Sequence, residues 1–327
     1  MDNNFAVIHD EVVGRTLIAR KSFLPGELLW TEQTFLYSDL NIEFENDGHL
    51  SLINAAFNKT TVSNISTIID DLAELDKIEC VDTAKNLLLL LSMYILKRKD
   101  STMLIRILTT ISNNSLNNDE INTKLDLIHQ LTAANLDECI HTAKQIRSIH
   151  KTLIPKAITN EEVGRLLGIL NTNQLELDIG GSGLFPYTAI VQHSCDNNTS
   201  FTTYGNTLYF VATKPIAVSD RITIDYGNNY YHSTPERVIS LEETYGFQCI
   251  CALCTGIDRK RGYKCRACTT GVVYPTAMGE TELNNNNICQ QCHTFMSPIH
   301  YKLCTAREQY YIGKKGMLHV YVKYIYA

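Results

Sequence analysis

Gln192-His193-Ser194-Cys195-Asp196 and, further along, Cys249-Ile250-Cys251-Ala252-Leu253-Cys254 are the stretches on which the fold of this chain turns. Three thiolates in Cys-x-Cys-x-x-Cys spacing cannot close a tetrahedral site alone, so a fourth ligand must come from elsewhere. Upstream, Gly180-Gly-Ser-Gly-Leu-Phe-Pro-Tyr187 is rich in turn formers, and Ile222-Thr-Ile-Asp-Tyr226 alternates as a strand does. From the residues alone, the region is a metal-stapled fold with a polar, Tyr-containing site nearby. A second constellation, Cys265-x-x-Cys268 with Cys289-x-x-Cys292, has zinc-ribbon spacing. It implies two knuckles joined by a short hairpin, with Gly271-Val-Val-Tyr-Pro275 and an Asn-rich turn between them.

Bulk properties narrow the class. The 327 residues can bury a sizeable core in one large domain or several smaller ones. A formal charge of -6 argues against a chain built to coat nucleic acid, so no direct nucleic-acid binding is expected. The apolar run around Leu87–Leu91 ends at Lys97 and is too short for a bilayer, so no membrane partner is expected. No secretory pattern opens the chain, and the expected location is the nucleus and/or cytoplasm. Nine of the eleven cysteines lie after residue 190, and in such a compartment clustered thiols favour zinc over disulfides. Cys80 and Cys139 stand alone on helical stripes and are expected to be small buried hydrophobes.

Three tempting chemistries fail. The glycines at 180–183 lack the Lys-Ser/Thr of a phosphate loop and the strand-to-helix order of a dinucleotide fold. His193, Ser194, Cys195 and Asp196 are sequence neighbours, and adjacent side chains do not generally present nucleophile, base and orienter in line. The chain offers no strong nucleophile motif for a Cys-His hydrolase.

In order, Phe5–Ile8, Thr16–Ala19 and Leu28–Glu32 are strand-like, broken by Gly14 and Pro25-Gly26. Residues 72–80, 84–96, 105–111, 121–131 and 136–149 carry helical periodicity, and Glu161–Leu170 is an amphipathic helix. Asn171-Thr-Asn173 is expected to be a polar turn before a strand. Thr207–Ala212 and Arg221–Tyr226 are further strands, and Arg237, Leu241, Tyr245 and Phe247 share a helix. Leu318–Ile325 alternates like a strand.

These pieces, in this order, resemble the SET-domain protein-lysine methyltransferases, above all the SET-and-MYND type. The resemblance rests on Gly14-Arg-Thr-Leu-Ile-Ala19, Phe23-Leu-Pro-Gly-Glu27, the Gln192-His-Ser-Cys195 segment, Tyr226, and the Tyr245-to-Cys254 segment. It covers about the first forty residues and 165–254. It implies an α+β, mainly β SET fold with a pseudo-knot, a helical insertion, a cysteine-rich post-SET segment and a zinc ribbon. The implied boundaries are 1–48 for the first part of the SET domain, 49–165 for the insertion, 166–245 for its core, 246–258 for the post-SET zinc segment and 259–327 for the ribbon-like region. Residues 40–79 hold no cysteine, so the MYND finger is absent.

The resemblance also assigns roles. It implies an S-adenosyl-L-methionine-dependent enzyme that methylates a lysine of a protein substrate, histone or non-histone, with a chromatin-regulating role and a monomeric state. Cys195 would complete the site of Cys249, Cys251 and Cys254, and Cys265, Cys268, Cys289 and Cys292 would hold the second of two zinc ions. Gly14, Arg15, Asn173, Gln192, His193, Tyr226 and Phe247 would hold the cofactor. Tyr226 and Tyr245 would line the catalytic channel. The chain departs from the pattern at Thr16, where a second glycine is usual, and at Gln192, where Asn is usual. Those departures carry the alternative: a catalytically impaired SET-like protein acting as a zinc-stabilised protein-binding module.

Overall fold

The computed structural model describes residues 4–11, 14–38, 48–57, 64–78, 80–111, 117–227, 232–259, 261–268, 270–275 and 287–314. The chain divides into two units, residues 1–192 with 198–223, and residues 193–197 with 224–327. The strand expected at Leu318–Ile325 and the Asn-rich turn near residue 285 lie outside the described residues.

In the first unit, β1 (Phe5–Asp10) and β2 (Gly14–Ala19) form an antiparallel hairpin, with Gly14 in the left-handed region at φ 77° where it closes on Asp10. β3 (Leu28–Gln33) is followed by β4 (Leu36–Ser38), β5 (Gln174–Glu176), β6 (Ser182–Leu184), β7 (Thr199–Tyr204) and β8 (Thr207–Ala212). One antiparallel sheet has the order β3-β8-β7, and a second has β4-β6-β5. Trp30 stacks on Phe210 across β3 and β8 with centroids 4.0 Å apart, and Phe5 meets Trp30 edge-on at 5.1 Å. These aromatic pairs fix register as well as burying apolar area.

The described α-helices of the first unit all fall between β4 and β5, the two strands that flank β6. They are α1 (Gly48–Ala56), α2 (Ile65–Ala73), α3 (Val81–Lys99), α4 (Ser101–Ile111), α5 (Asn118–His129), α6 (Leu136–Ile149) and α7 (Asn160–Asn173). The insertion thus leaves and re-enters on the same small sheet. α3 is apolar on every face along Leu87–Leu91 because that stretch is buried on every face, each residue at most 2% exposed. α6 and α7 approach closely enough that a Cβ on Gly164 would lie 2.7 Å from the Ile140 backbone nitrogen. Thr159 and Glu162 form a reciprocal capping box that starts α7.

Several local expectations change: of the described residues in 72–80, only Leu72 and Ala73 are helical, as the end of α2. Asn171–Asn173 is the last turn of α7, because the helix continues until Gln174 adopts extended backbone. Cys139 is fully buried as expected, but Cys80 is exposed and caps α3, its sulfur accepting from the Thr83 amide at 3.4 Å. Of Arg221–Tyr226, only Thr223–Ile224 has strand geometry.

Glu32 on β3 is buried and accepts from the amides of Tyr187 and Thr188 and from the Thr188 hydroxyl, each at 2.9 Å. Burial pushes its pKa up, while those donors and Lys124 oppose the shift. The carboxylate therefore pins the start of the 3-10 turn Thr188–Ile190, just after the Leu184-Phe-Pro186 segment. Glu32→Gln presents an N–H to one of these donors and is expected to lower unfolding free energy by about 1–3 kcal/mol, read from urea denaturation.

The second unit is built on α8 (Thr234–Tyr245), which starts at a Ser233–Glu236 capping box with Pro235 in its first turn and ends at Gly246, φ 73°. Phe247 therefore lies beyond the helix rather than on it. α9 (Ala252–Thr255) carries Cys254. β9 (Tyr263–Lys264) and β10 (Val272–Val273) pair across the first knuckle of the second cysteine set. The hairpin thus encloses that knuckle instead of joining the two. α10 (Pro298–Lys314) follows, packing Cys304 inward and leaving Ile299 and Leu303 exposed.

Candidate active site and metal centres

Cys195, Cys249, Cys251 and Cys254 bring their sulfurs within 4.8 Å of one another. Cys195 lies 3.9 Å from Cys249 and 3.6 Å from Cys254, sulfur to sulfur. Four thiolates about 2.3 Å from a tetrahedral zinc stand about 3.8 Å apart, whereas a disulfide would need about 2.05 Å. All four are free cysteines. The donor set and the spacing fit zinc. The Cys195 thiol holds Cys249 well below the usual thiol range and Cys251 at about 5, while Cys249 in turn pushes Cys195 up.

Two donors reach these sulfurs from behind. His193 Nε2 lies 3.1 Å from Cys195 Sγ. The Arg237 guanidinium donates to Cys254 Sγ at 3.7 Å, to the carbonyls of His232 and Leu253, and to the Thr234 hydroxyl. Arg237 is only 2% exposed. Burial alone would lower its pKa, but the neighbouring Cys254, Cys195 and Asp258 together outweigh burial and raise it. A zinc tetrathiolate carries a net charge of about −2, and a buried guanidinium offsets part of it. The helical stripe placed Arg237 on α8 but gave no sign of this role.

The second set is equally compact. Cys265 lies 3.7 Å from Cys292, and Cys268 lies 3.6 Å from Cys289. Knuckle amides point at the sulfurs: Ala267 to Cys265, Gly271 to Cys268, and Gln291 to Cys289, at 3.3, 3.3 and 3.4 Å. A Cβ on Gly271 would lie 2.2 Å from Cys289 Sγ and 2.8 Å from Cys268 Sγ. Only glycine fits against this cluster. Both arrangements are compatible with zinc, and His293 and Cys304 stand outside them.

Aromatic rings gather beside the first cluster. Tyr226 and Tyr245 have centroids 5.0 Å apart, and Phe247 lies 6.3 and 6.4 Å from them. His193 packs 5.3 Å from Tyr226 and 5.9 Å from Phe247. The Tyr245 hydroxyl donates to the Tyr226 carbonyl at 2.8 Å, and the Tyr226 amide donates to His193 Nδ1 at 3.1 Å. Burial, helped by Tyr245, pushes the Tyr226 phenol above its ordinary range; burial, helped by Asp225, does the same for Tyr245. Both phenols keep their protons at neutral pH.

The other residues expected at the site belong to the first unit. Gly14 has open space where a Cβ would project. Thr16 turns its side chain into the interior at 0% exposure, and its hydroxyl oxygen has no hydrogen-bond partner among the described residues. The threonine methyl and hydroxyl are thus accommodated away from the surface. Arg15 donates to the carbonyl and side chain of Gln130, just past α5. The Gln192 amide donates to the Arg15 carbonyl at 2.8 Å. The Asn173 amide is engaged by the carbonyls of Thr132 and Ile169. Gln192, Arg15 and Gln130 therefore form one connected run, while Asn173 is held separately.

A hairpin-led β unit with a helical insertion and a tetrathiolate centre next to paired tyrosines defines the class. The chain belongs to the SET-domain family: the SET domain profile matches residues 14–227. Over 84 residues it is 33% identical to human Histone-lysine N-methyltransferase SMYD3 and 32% identical to the mouse protein of that name. That match takes in 26% of this chain and 19% of each relative, so the chain spans about a fifth of the curated relatives it matches. Among solved structures, the SET domain of LSMT bound to lysine and AdoHcy is similar with TM-score 0.42 and 15% identity, over 76% of this chain and 53% of that one. Rubisco LSMT bound to AdoMet gives TM-score 0.40 and 15% identity, over 76% and 52%.

Two zinc ions per chain are expected by plasma mass spectrometry. Gly271→Ala should lower the count to one, with the chain still folded by circular dichroism, because the added methyl displaces Cys289 and leaves Cys195, Cys249, Cys251 and Cys254 untouched.

Proposed function

We propose that the protein is an S-adenosylmethionine-dependent protein-lysine N-methyltransferase, acting on a histone or non-histone protein in the nucleus or cytoplasm. The observation that carries the reading is the half-buried Tyr226–Tyr245 pair, held against His193 beside a four-cysteine centre in a chain of the SET family. Members of that family are typically enzymes of this kind.

S-adenosylmethionine supplies an electrophilic methyl on a sulfonium. The residues that would hold it are Gly14, Arg15, Asn173, Gln192, His193, Tyr226 and Phe247. Gly14 leaves room for close backbone approach, and Gln192 secures the adjoining Arg15 carbonyl. Phe247 offers a flat apolar face of the kind that suits a nucleobase. The nucleophile is a neutral lysine amine, whose lone pair forms the new C–N bond as the methyl–sulfur bond breaks and its electron pair stays on the departing thioether; the methylated ammonium then loses a proton to solvent. This chemistry needs alignment and desolvation more than a strong side-chain base. Half-buried, protonated tyrosines supply an apolar wall with hydroxyls that orient the amine. The two four-cysteine centres act as structural staples.

The second reading, a SET-like binding protein without catalysis, is favoured by one observation. The Arg15 guanidinium is already committed to Gln130 rather than to an open site. Isothermal titration with S-adenosylmethionine, followed by transfer of a labelled methyl to a peptide array, decides between the two. Binding with transfer is expected. Binding without transfer selects the second reading, and absence of binding with zinc intact sinks the first. Tyr226→Phe should lower kcat by about 100-fold with zinc content unchanged. The rate should rise about tenfold per unit between about pH 7 and 9, as the neutral fraction of a lysine with pKa near 10.4 grows. No matching fall should appear, because burial keeps the Tyr226 proton in place over that range.

A further inference from the structure

The imidazole of His193 has both ring nitrogens engaged within the second unit, and the two contacts fix its proton. The Tyr226 peptide N–H donates to Nδ1 at 3.1 Å, so Nδ1 presents a lone pair. The single proton of a neutral ring is then on Nε2, which lies 3.1 Å from Cys195 Sγ. The nearest carboxylate oxygen of Asp225 is 3.8 Å from Nδ1, beyond hydrogen-bond range, so it does not compete for that nitrogen. A metal-bound thiolate is a strong acceptor for such an N–H, and the bond is charge-assisted. From Tyr226 the connection continues, since its carbonyl accepts the Tyr245 hydroxyl at 2.8 Å.

We propose that His193 is a positioning residue that transmits the state of the first zinc centre to the two tyrosines. The path runs from the Cys195 sulfur to Nε2–H, through the ring to Nδ1, to the Tyr226 amide, and across that residue's carbonyl to the Tyr245 hydroxyl. With zinc in place, Cys195 Sγ is fixed by its three partners and the ring is fixed with it. Tyr226 is then held by its backbone. Loss of the metal frees Cys195, and the ring loses the acceptor that defines its tilt. The catalytic consequence rests on the proposed role of the tyrosines; the metal-to-tyrosine connection does not.

The bland alternative is a buried histidine that satisfies two neighbours and transmits nothing. Side-chain length separates the two. An asparagine amide oxygen reaches the position of Nδ1, whereas a glutamine amide nitrogen reaches that of Nε2. His193→Asn therefore keeps the acceptor for Tyr226 and loses the donor to Cys195, and His193→Gln does the reverse. In the full chain with both sites loaded with cadmium-113, a scalar coupling between the His193 Nε2 proton and one cadmium is expected, and nitrogen-15 shifts should report the Nε2–H tautomer. In zinc-loaded His193→Gln, the Tyr226 amide should exchange faster with solvent while both ions are retained. In His193→Asn, kcat should fall by about 10–100-fold with both metal ions retained.

A ring protonated on Nδ1 overturns the proposal, as does an absent coupling with the cluster loaded. So does unchanged Tyr226 exchange in His193→Gln together with unchanged kcat in His193→Asn. If the coupling and the exchange behave as expected but the unaltered protein transfers no methyl, the connection stands and the enzymatic reading fails. If transfer occurs without the coupling, the reverse holds.

Discussion

The junction of residues 193–197 with α8 and α9 depends on four sulfurs meeting at one point. Cys195 reaches that point from a five-residue excursion of the chain, while Cys249, Cys251 and Cys254 arrive from the end of α8 and the start of α9. Without a cation, four thiols at this spacing oppose one another: ionising one raises the cost of ionising the next. A divalent metal turns that repulsion into the strongest local attraction in the unit. Arg237 and His193 complete the arrangement by pointing N–H groups at the outer faces of the sulfurs. A cluster that carries surplus negative charge is thereby accepted in an interior that would otherwise reject it.

The first unit solves a different problem, that of carrying a large helical insertion without disturbing a small β framework. The answer lies in β4 and β5, which flank β6 and serve as exit and re-entry. Asn86 on α3 donates to the Ser182 carbonyl and hydroxyl at 3.1 Å, tying the insertion back to that strand. Arg15 does the same from the hairpin by holding Gln130. The helices are thus fastened to the framework by one buried and one exposed polar contact as well as by the apolar core along α3. That same fastening decides where the Arg15 side chain goes.

Much of this was legible in the residues because it rests on local rules. Cysteine spacing announced both metal sets, since two ligands from one tight loop need that separation whatever surrounds them. Apolar periodicity found α3 to α7 but missed α1 and most of α2 and extended a helix beyond Ala73, where the chain turns; apolar runs between turn formers found β1, β2, β3 and β8. The failures also have physical causes. Asn171–Asn173 looked like a turn because asparagine is a poor helix former, yet Asn173 is satisfied by the Thr132 and Ile169 carbonyls and the helix continues. Cys80 looked like a core residue, but a sulfur at a helix start can accept an amide instead. The hairpin around the first knuckle was misplaced because a two-residue strand is too short for alternation to show. The partners of Arg15, Arg237 and Gln192 lie far along the chain or turn on geometry, and no spacing rule reports them.

One feature of the chain path bears on how the protein is made. Residues 193–197 belong to the second unit, whereas 198–223, which include the central strand β8, return to the first. During synthesis the sheet β3-β8-β7 can therefore assemble only after Cys195 has emerged and been left waiting. That cysteine stays unpartnered until Cys254 follows, an interval of 59 residues, and at about 5–20 residues per second this amounts to several seconds. Throughout that window the Cys195 thiol lacks the partners that complete its cluster, and a free thiol is open to oxidation.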